Sequence, residues 1–181
     1  MIWTYALAYS LLLESFKSYS EALRLLSSYK EPTSIKYKLE AWKLYGSLQL
    51  AKIVGEALPN LIEKIEVVEG GGGVGTVIKL YFPPGAGLPP YKEKFTVVDD
   101  EKRVKETEVV EGGYLDMGFT LYRVRFQIID KEKNSSSSSC ITKSTIEYEV
   151  KEESAANASF VSIQPLVKIM DVAANYLESK S

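Results

Sequence analysis

The chain of 181 residues contains no histidine. That absence excludes Ser-His-Asp and Cys-His nucleophile systems, His-ligated zinc and imidazole general bases. The single cysteine, Cys140, cannot close an internal disulfide, so nothing in the chain calls for an oxidising compartment. Basic excess is missing as well. Lys and Arg number 22 against 24 Asp and Glu, a net charge of −2, so the chain lacks the positive stripe of a nucleic-acid binder and no nucleic-acid partner is expected. No apolar run reaches the length of a membrane span: the longest, MIWTYALAYSLLL, stops at Glu14. What is left for chemistry is carboxylates, lysines and twelve tyrosines.

The length suits one domain able to bury its own core. Tyr5, Tyr9, Leu12, Phe16, Tyr19, Leu23 and Leu26 step by fours and threes, which predicts an amphipathic helix through the first thirty residues. The same opening lacks the basic leader and cleavage site of a secretory signal, which points to the cytoplasm. Read instead as a signal, it would direct the chain to the endoplasmic reticulum or vacuole. Residues 1–34 are therefore expected to be a helical extension, and 35–181 the functional domain. Pro32-Thr33-Ser34 starts a helix over Ile35–Tyr45, Gly46-Ser47 interrupts it, and Leu48–Leu58 runs to Pro59.

From residue 62 the period changes from helical to alternating. The expected strands are Glu63–Val68, Thr76–Phe82, Tyr91–Val98, Arg103–Val110, Tyr114–Ile129 and Cys140–Val150, followed by a closing helix over Pro165–Leu177. This order is that of an α+β domain, a curved antiparallel sheet with a long helix across its open face and a cavity between them. The loop Gly70–Gly75 lacks the Lys-Ser/Thr ending of a phosphate cradle and joins two strands, so it reads as a hairpin loop. Asn134-Ser-Ser and Asn157-Ala-Ser match the glycosylation triplet, which matters only in a secreted chain.

Tyr91-Lys-Glu-Lys-Phe95 carries the most chemical information. In a strand, Tyr91, Glu93 and Phe95 share one face and Lys92 and Lys94 the other. A three-residue turn at Asp99–Glu101 would pair Phe95 with Lys105 and bring Lys105 diagonally near Glu93; a two-residue turn would send Lys105 outward. Two readings follow: an acid–base set inside a partly apolar pocket, or a cross-strand ion pair on the wet face. Further on, Tyr114, Tyr122, Val124, Phe126 and Ile128 share an inward face opposite Arg123, Arg125 and Gln127, and Asp116 lies either at a wet end or in the pocket.

From about Ala41 to Tyr176 the chain resembles the Bet v I-like, pathogenesis-related class ten plant proteins, and within them the norcoclaurine synthases. Ala41-Trp-Lys-Leu-Tyr45, Phe82-Pro-Pro-Gly85, Tyr91-Lys-Glu-Lys-Phe95, Asp99-Asp-Glu-Lys-Arg103, Glu111-Gly-Gly-Tyr-Leu-Asp-Met-Gly118 and Glu147-Tyr-Glu-Val-Lys151 carry the resemblance, collinear over some three-quarters of the chain. It implies a helix-grip fold and a cofactor-free, metal-free Pictet–Spengler condensation of dopamine with 4-hydroxyphenylacetaldehyde to (S)-norcoclaurine. It also implies catalytic roles for Tyr91, Glu93 and Lys105, with Lys105 as proton donor and Glu93 as base. Phe95, Tyr122 and Val124 would contact the substrates, a small aromatic amine and an aldehyde. A membrane partner is not implied, and a homodimer is compatible with it. Two departures stand out. Val124 occupies the position where those enzymes have an aspartate, and the segment before Ala41 does not resemble their first strand, which is expected to be missing or replaced. A non-catalytic carrier of aromatic metabolites is the alternative that these departures favour.

Overall fold

The computed structural model describes residues 24–30, 36–130 and 140–180. Seven strands form one antiparallel sheet in the order β1-β7-β6-β5-β4-β3-β2. They are β1 (Arg24–Lys30), β2 (Lys64–Glu69), β3 (Val77–Tyr81), β4 (Tyr91–Asp99), β5 (Val104–Gly112), β6 (Phe119–Asp130) and β7 (Cys140–Val150). Helices α1 (Lys36–Tyr45) and α2 (Gln49–Ala57) precede β2, and α3 (Gln164–Glu178) closes the described chain.

The long strands alternate as a half-buried sheet must. In β7, Cys140, Thr142, Ser144, Ile146 and Tyr148 are buried while the residues between them are more exposed. The same alternation in β6 turns Tyr122, Val124, Phe126 and Ile128 inward. Outward lie Arg123, bonded to Glu108 and Glu147 at 2.9 Å each, and Arg125, whose Nε donates to Glu106 at 2.6 Å. Helix α3 buries Leu166, Met170, Ala173 and Leu177, a stripe at helical spacing, against the concave side. Its start tolerates Pro165 because an amide in the first turn has no partner within the helix. Between α1 and α2 the chain bends where a Cβ on Gly46 would lie 2.8 Å from the Trp42 ring, so only glycine allows the two to meet. The Trp42 indole then donates to Asp100 at 2.7 Å, tying α1 to the β4–β5 turn.

The first strand is present, contrary to the expectation of a missing or replaced one. Arg24–Lys30 pairs with β7 from Arg24↔Tyr148 to Lys30↔Thr142, so the helical reading of residues 1–34 fails over this stretch. The edge of β7 would otherwise present a row of unpaired amides and carbonyls, and satisfying them outweighs a weak helical period. Residues 1–23, the cap at Pro32–Ser34 and the Asn134 triplet lie outside the described residues. Residues 115–117, expected to open a strand, form a short 3-10 turn instead, and Asp116 is exposed on it, away from the interior. The glycine segment is the loop of the β2–β3 hairpin, fastened by Gly72 N donating to the buried Thr76 hydroxyl at 2.8 Å. Among the described residues no helix is long and apolar enough to cross a membrane.

Candidate active site

A cavity of about 250 Å3 lies between the concave sheet and α3. Leu80, Phe82, Tyr91, Glu93, Thr107, Tyr122, Val124 and Phe126 form its sheet side, and Leu166 and Ile169 its helix side. Its rim is made by the loop at Ala86–Leu88 and by Phe160, which is 53% exposed. This is an apolar chamber with a few polar groups, near the lower end of small-molecule sites.

The strand register sets what faces it. Asp99 pairs with Val104 and Val98 with Lys105, so the β4–β5 turn spans four residues rather than three. Phe95 is opposite Thr107, not Lys105 as the three-residue turn would require. A bulge at Thr96 takes up the extra residue and restores parity, so that Lys105, Thr107, Phe95 and Glu93 still share the inner face. Lys105 reaches that face by a route the sequence does not show.

Of the residues singled out from the sequence, Tyr91, Glu93, Tyr122 and Val124 line the cavity. Lys105 and Phe95 do not; they stand behind it. Lys105 is 4% exposed and its ammonium donates to the Ser47 carbonyl at 3.0 Å, lying 3.7 Å above the centroid of the Phe95 ring. Phe95, itself 1% exposed, is thus a floor under the cation rather than a wall of the chamber. Two partners are absent from the sequence reading of the site, and a third, Tyr114, enters it only as a member of the inward face it shares with Tyr122. Thr107 lines the cavity beside Glu93, Tyr114 stacks on Tyr122 with centroids 3.7 Å apart and planes 7° from parallel, and the Ser47 carbonyl holds Lys105. A main-chain acceptor leaves no trace in residue type.

Electrostatics concentrate on one carboxyl. Burial pushes Glu93 up from its ordinary value to about 7, against the opposing pull of the Lys105 cation and a hydrogen bond from Thr107. Burial likewise pushes Lys105 down to about 8, against the attraction of Glu93. Tyr91 and Tyr122 are held well above the usual phenol range, chiefly by burial, with Glu93 adding to both. Near neutral pH the chamber therefore holds a carboxyl poised between acid and base, between phenols that remain hydroxyl donors. No cluster of metal-ligating side chains occurs among the described residues.

The family model for the pathogenesis-related protein Bet v 1 family matches residues 27–179. The chain belongs to that family. Within it, the chain is 45% identical over 142 residues to norbelladine synthase of Narcissus pseudonarcissus, covering 78% of this chain and 85% of the relative. It is 41% identical over 155 residues to S-norcoclaurine synthase 2 of Papaver somniferum, covering 81% of this chain but 65% of that enzyme's length. Among solved Bet v 1 folds, norcoclaurine synthase of Thalictrum flavum in complex with dopamine and hydroxybenzaldehyde superposes with a TM-score of 0.77 at 32% identity, over 90% of each chain.

Proposed function

We propose that this Bet v 1 protein condenses an aromatic amine with an aldehyde in its cavity, as in the Pictet–Spengler formation of (S)-norcoclaurine from dopamine and 4-hydroxyphenylacetaldehyde. The observation that carries this reading is Glu93, an acid half-ionised near neutral pH within an apolar chamber flanked by tyrosines. Similarity to a norcoclaurine synthase holding an amine and an aldehyde supports it.

The reaction needs one proton delivered and one removed. Attack of the amine nitrogen on the aldehyde carbon forms a C–N bond and a carbinolamine. Glu93 in its acid form protonates the carbinolamine oxygen, which leaves as water, and the resulting carboxylate stabilises the iminium cation. The catechol ring then closes a C–C bond onto the iminium carbon. Its ring proton passes to Glu93, restoring both aromaticity and the acid. One carboxyl thus serves both steps, and it takes over the proton donation that the resemblance implies for Lys105. Lys105 acts through Glu93, favouring the carboxylate electrostatically from behind the cavity wall. Tyr91 and Tyr122 hydrogen-bond and orient the substrates.

A carrier of aromatic metabolites is the second reading, favoured by Val124, which leaves Glu93 as the only carboxyl on the lining among the described residues. The test is product formation from dopamine and 4-hydroxyphenylacetaldehyde, resolved by chiral chromatography. The uncatalysed reaction is racemic, so an (S) excess establishes the enzyme. Racemate at the background rate, with tight binding of aromatic ligands, establishes the carrier. Because one relative is a norbelladine synthase, that enzyme's substrates form the parallel assay.

A further inference from the structure

We infer that Phe160 is the stacking partner of the aldehyde's aromatic ring at the cavity mouth, and that it selects aryl-bearing over straight-chain aldehydes. This rests on the reading of the cavity as the site of condensation. Six aromatic rings line the cavity: Phe82, Tyr91, Tyr114, Tyr122, Phe126 and Phe160. Five of them already have a ring partner, Phe82 and Tyr114 against Tyr91, Tyr122 against Tyr114, and Phe126 against Tyr45. Phe160 alone has none among the described residues. It also stands outside the core, 53% exposed, although Ala158, Val161 and Ile163 around it all pack inward. A single exposed apolar side chain on an open surface calls for no explanation, and Val67, Val68 and Val74 are of that kind, away from the cavity. Phe160 differs in being on the lining.

The ring is held in place by its backbone. Phe160 ends the 3-10 segment Glu152–Phe160, which starts where the Lys151 amide donates to the Gly118 carbonyl at 3.0 Å. Midway, the Asn157 side-chain amide donates to the Met117 carbonyl at 2.8 Å, so the nitrogen of that glycosylation triplet is engaged in fixing the rim. After the ring, the Val161 amide donates to the Ala158 carbonyl at 3.2 Å.

Room and reaction geometry together name the occupant. Both proton transfers run through Glu93 on the sheet side, so the catechol ring and the bonds being formed must lie beside it. The two substrates carry about twenty non-hydrogen atoms between them, more than a cavity of about 250 Å3 encloses. One ring must therefore reach the rim, and it is the aldehyde's. There Leu88 faces it from one side of the mouth and Phe160 from the other. A straight-chain aldehyde can cover the same apolar surface, but only an aromatic ring adds the stacking term, a factor of about three to ten in affinity.

The test is calorimetric and needs no turnover. It compares norcoclaurine with salsolinol, the same bicyclic amine carrying a methyl in place of the hydroxybenzyl arm, on wild type, Phe160→Leu and Phe160→Tyr. The ratio of the two affinities isolates the arm. Leucine keeps an apolar side chain without the ring and is expected to lower the ratio by a factor of about three to ten, whereas tyrosine is expected to keep it. Salsolinol affinity and the thermal melt should hold in both, because the ring lies outside the core. In turnover, Phe160→Leu should raise KM for 4-hydroxyphenylacetaldehyde with kcat little changed, and leave hexanal nearly unaffected. An affinity ratio unchanged in Phe160→Leu overturns the inference, whether or not the protein catalyses. A ratio that falls as expected in a protein that forms no product upholds Phe160 as an aromatic subsite and overturns the enzymatic reading instead.

Discussion

The Lys105 ammonium lies 3.7 Å above the Phe95 ring, and the pair sits just outside the cavity that Glu93 lines. The cation is held there by the Ser47 carbonyl and the face of an aromatic ring, neither of which neutralises it. Its field reaches the Glu93 carboxyl through a desolvated interior, where charges are weakly screened. Position and charge together make Lys105 a tuning group for the acid in front of it.

Replacing Lys105 with Met should therefore act on pH rather than on the fold. The cation holds the Glu93 carboxyl down, so removing it moves that carboxyl above about 7, and the activity profile should follow to higher pH by about one unit. At pH 7 turnover should fall about tenfold and recover in part at alkaline pH. A pH–rate profile with a parallel carboxyl titration checks this. A Lys105 that itself donates the proton would shift the Glu93 midpoint all the same, but its loss would abolish activity at every pH with no alkaline recovery.

Glu93 should weaken the fold as pH rises. Its native carboxyl titrates near 7 against an ordinary 4.5, so between those values the unfolded chain has released a proton that the native protein keeps. Stability must then fall from pH 4.5 to 7, by about 3 kcal/mol in all, and stay reduced above that. Glu93→Gln cannot titrate and should lack this component of the pH dependence. Denaturant melts at pH 4.5, 6 and 8 on both proteins measure the difference.

Gly113 fixes the placement of Tyr91. Its φ is +54°, and a Cβ there would stand 2.7 Å from the Tyr91 Cβ. Gly113→Ala should cost about 1–2 kcal/mol through the backbone alone and push Tyr91 off the cavity wall. Loss of substrate affinity beyond the loss of stability, seen by calorimetric titration with dopamine, is the expected outcome.

Val124→Asp places an acid beside Thr107, where the norcoclaurine synthases that the sequence resembles carry one. A carboxylate at a site 8% exposed should cost about 2 kcal/mol or more and raise the Glu93 midpoint by like-charge repulsion. Turnover should rise several-fold if a second acid limits the reaction, as thermal melts and the chiral assay on one preparation would show.

Much of this architecture can be read from residue order. Period-two runs in β6 and β7 and the Leu166–Leu177 stripe of α3 each bury what their spacing says they should, because a single face must meet a single core. The parity of Tyr122 and Val124 likewise gives the cavity wall, whereas that of Tyr91 and Glu93 fixes a shared face without saying whether it is the wet one. Legibility ends where one extra residue or one main-chain atom decides the outcome. The bulge at Thr96 is not announced by any turn residue, yet it puts Phe95 opposite Thr107 and so leaves Lys105 on the same face as Glu93. The Ser47 carbonyl, which draws Lys105 out of the lining, belongs to every residue type. Arg24–Lys30 carries a short helical period, and only the open edge of β7 makes it a strand.

The most direct measurement compares wild type with Glu93→Gln in the reaction of dopamine with 4-hydroxyphenylacetaldehyde, with substrate binding checked by calorimetry on each. The account requires an (S) excess from wild type, and from Glu93→Gln a folded protein that binds dopamine yet gives racemate at the background rate, a loss of about 100-fold or more. Retention of the wild-type rate and enantiomeric excess by Glu93→Gln would contradict it.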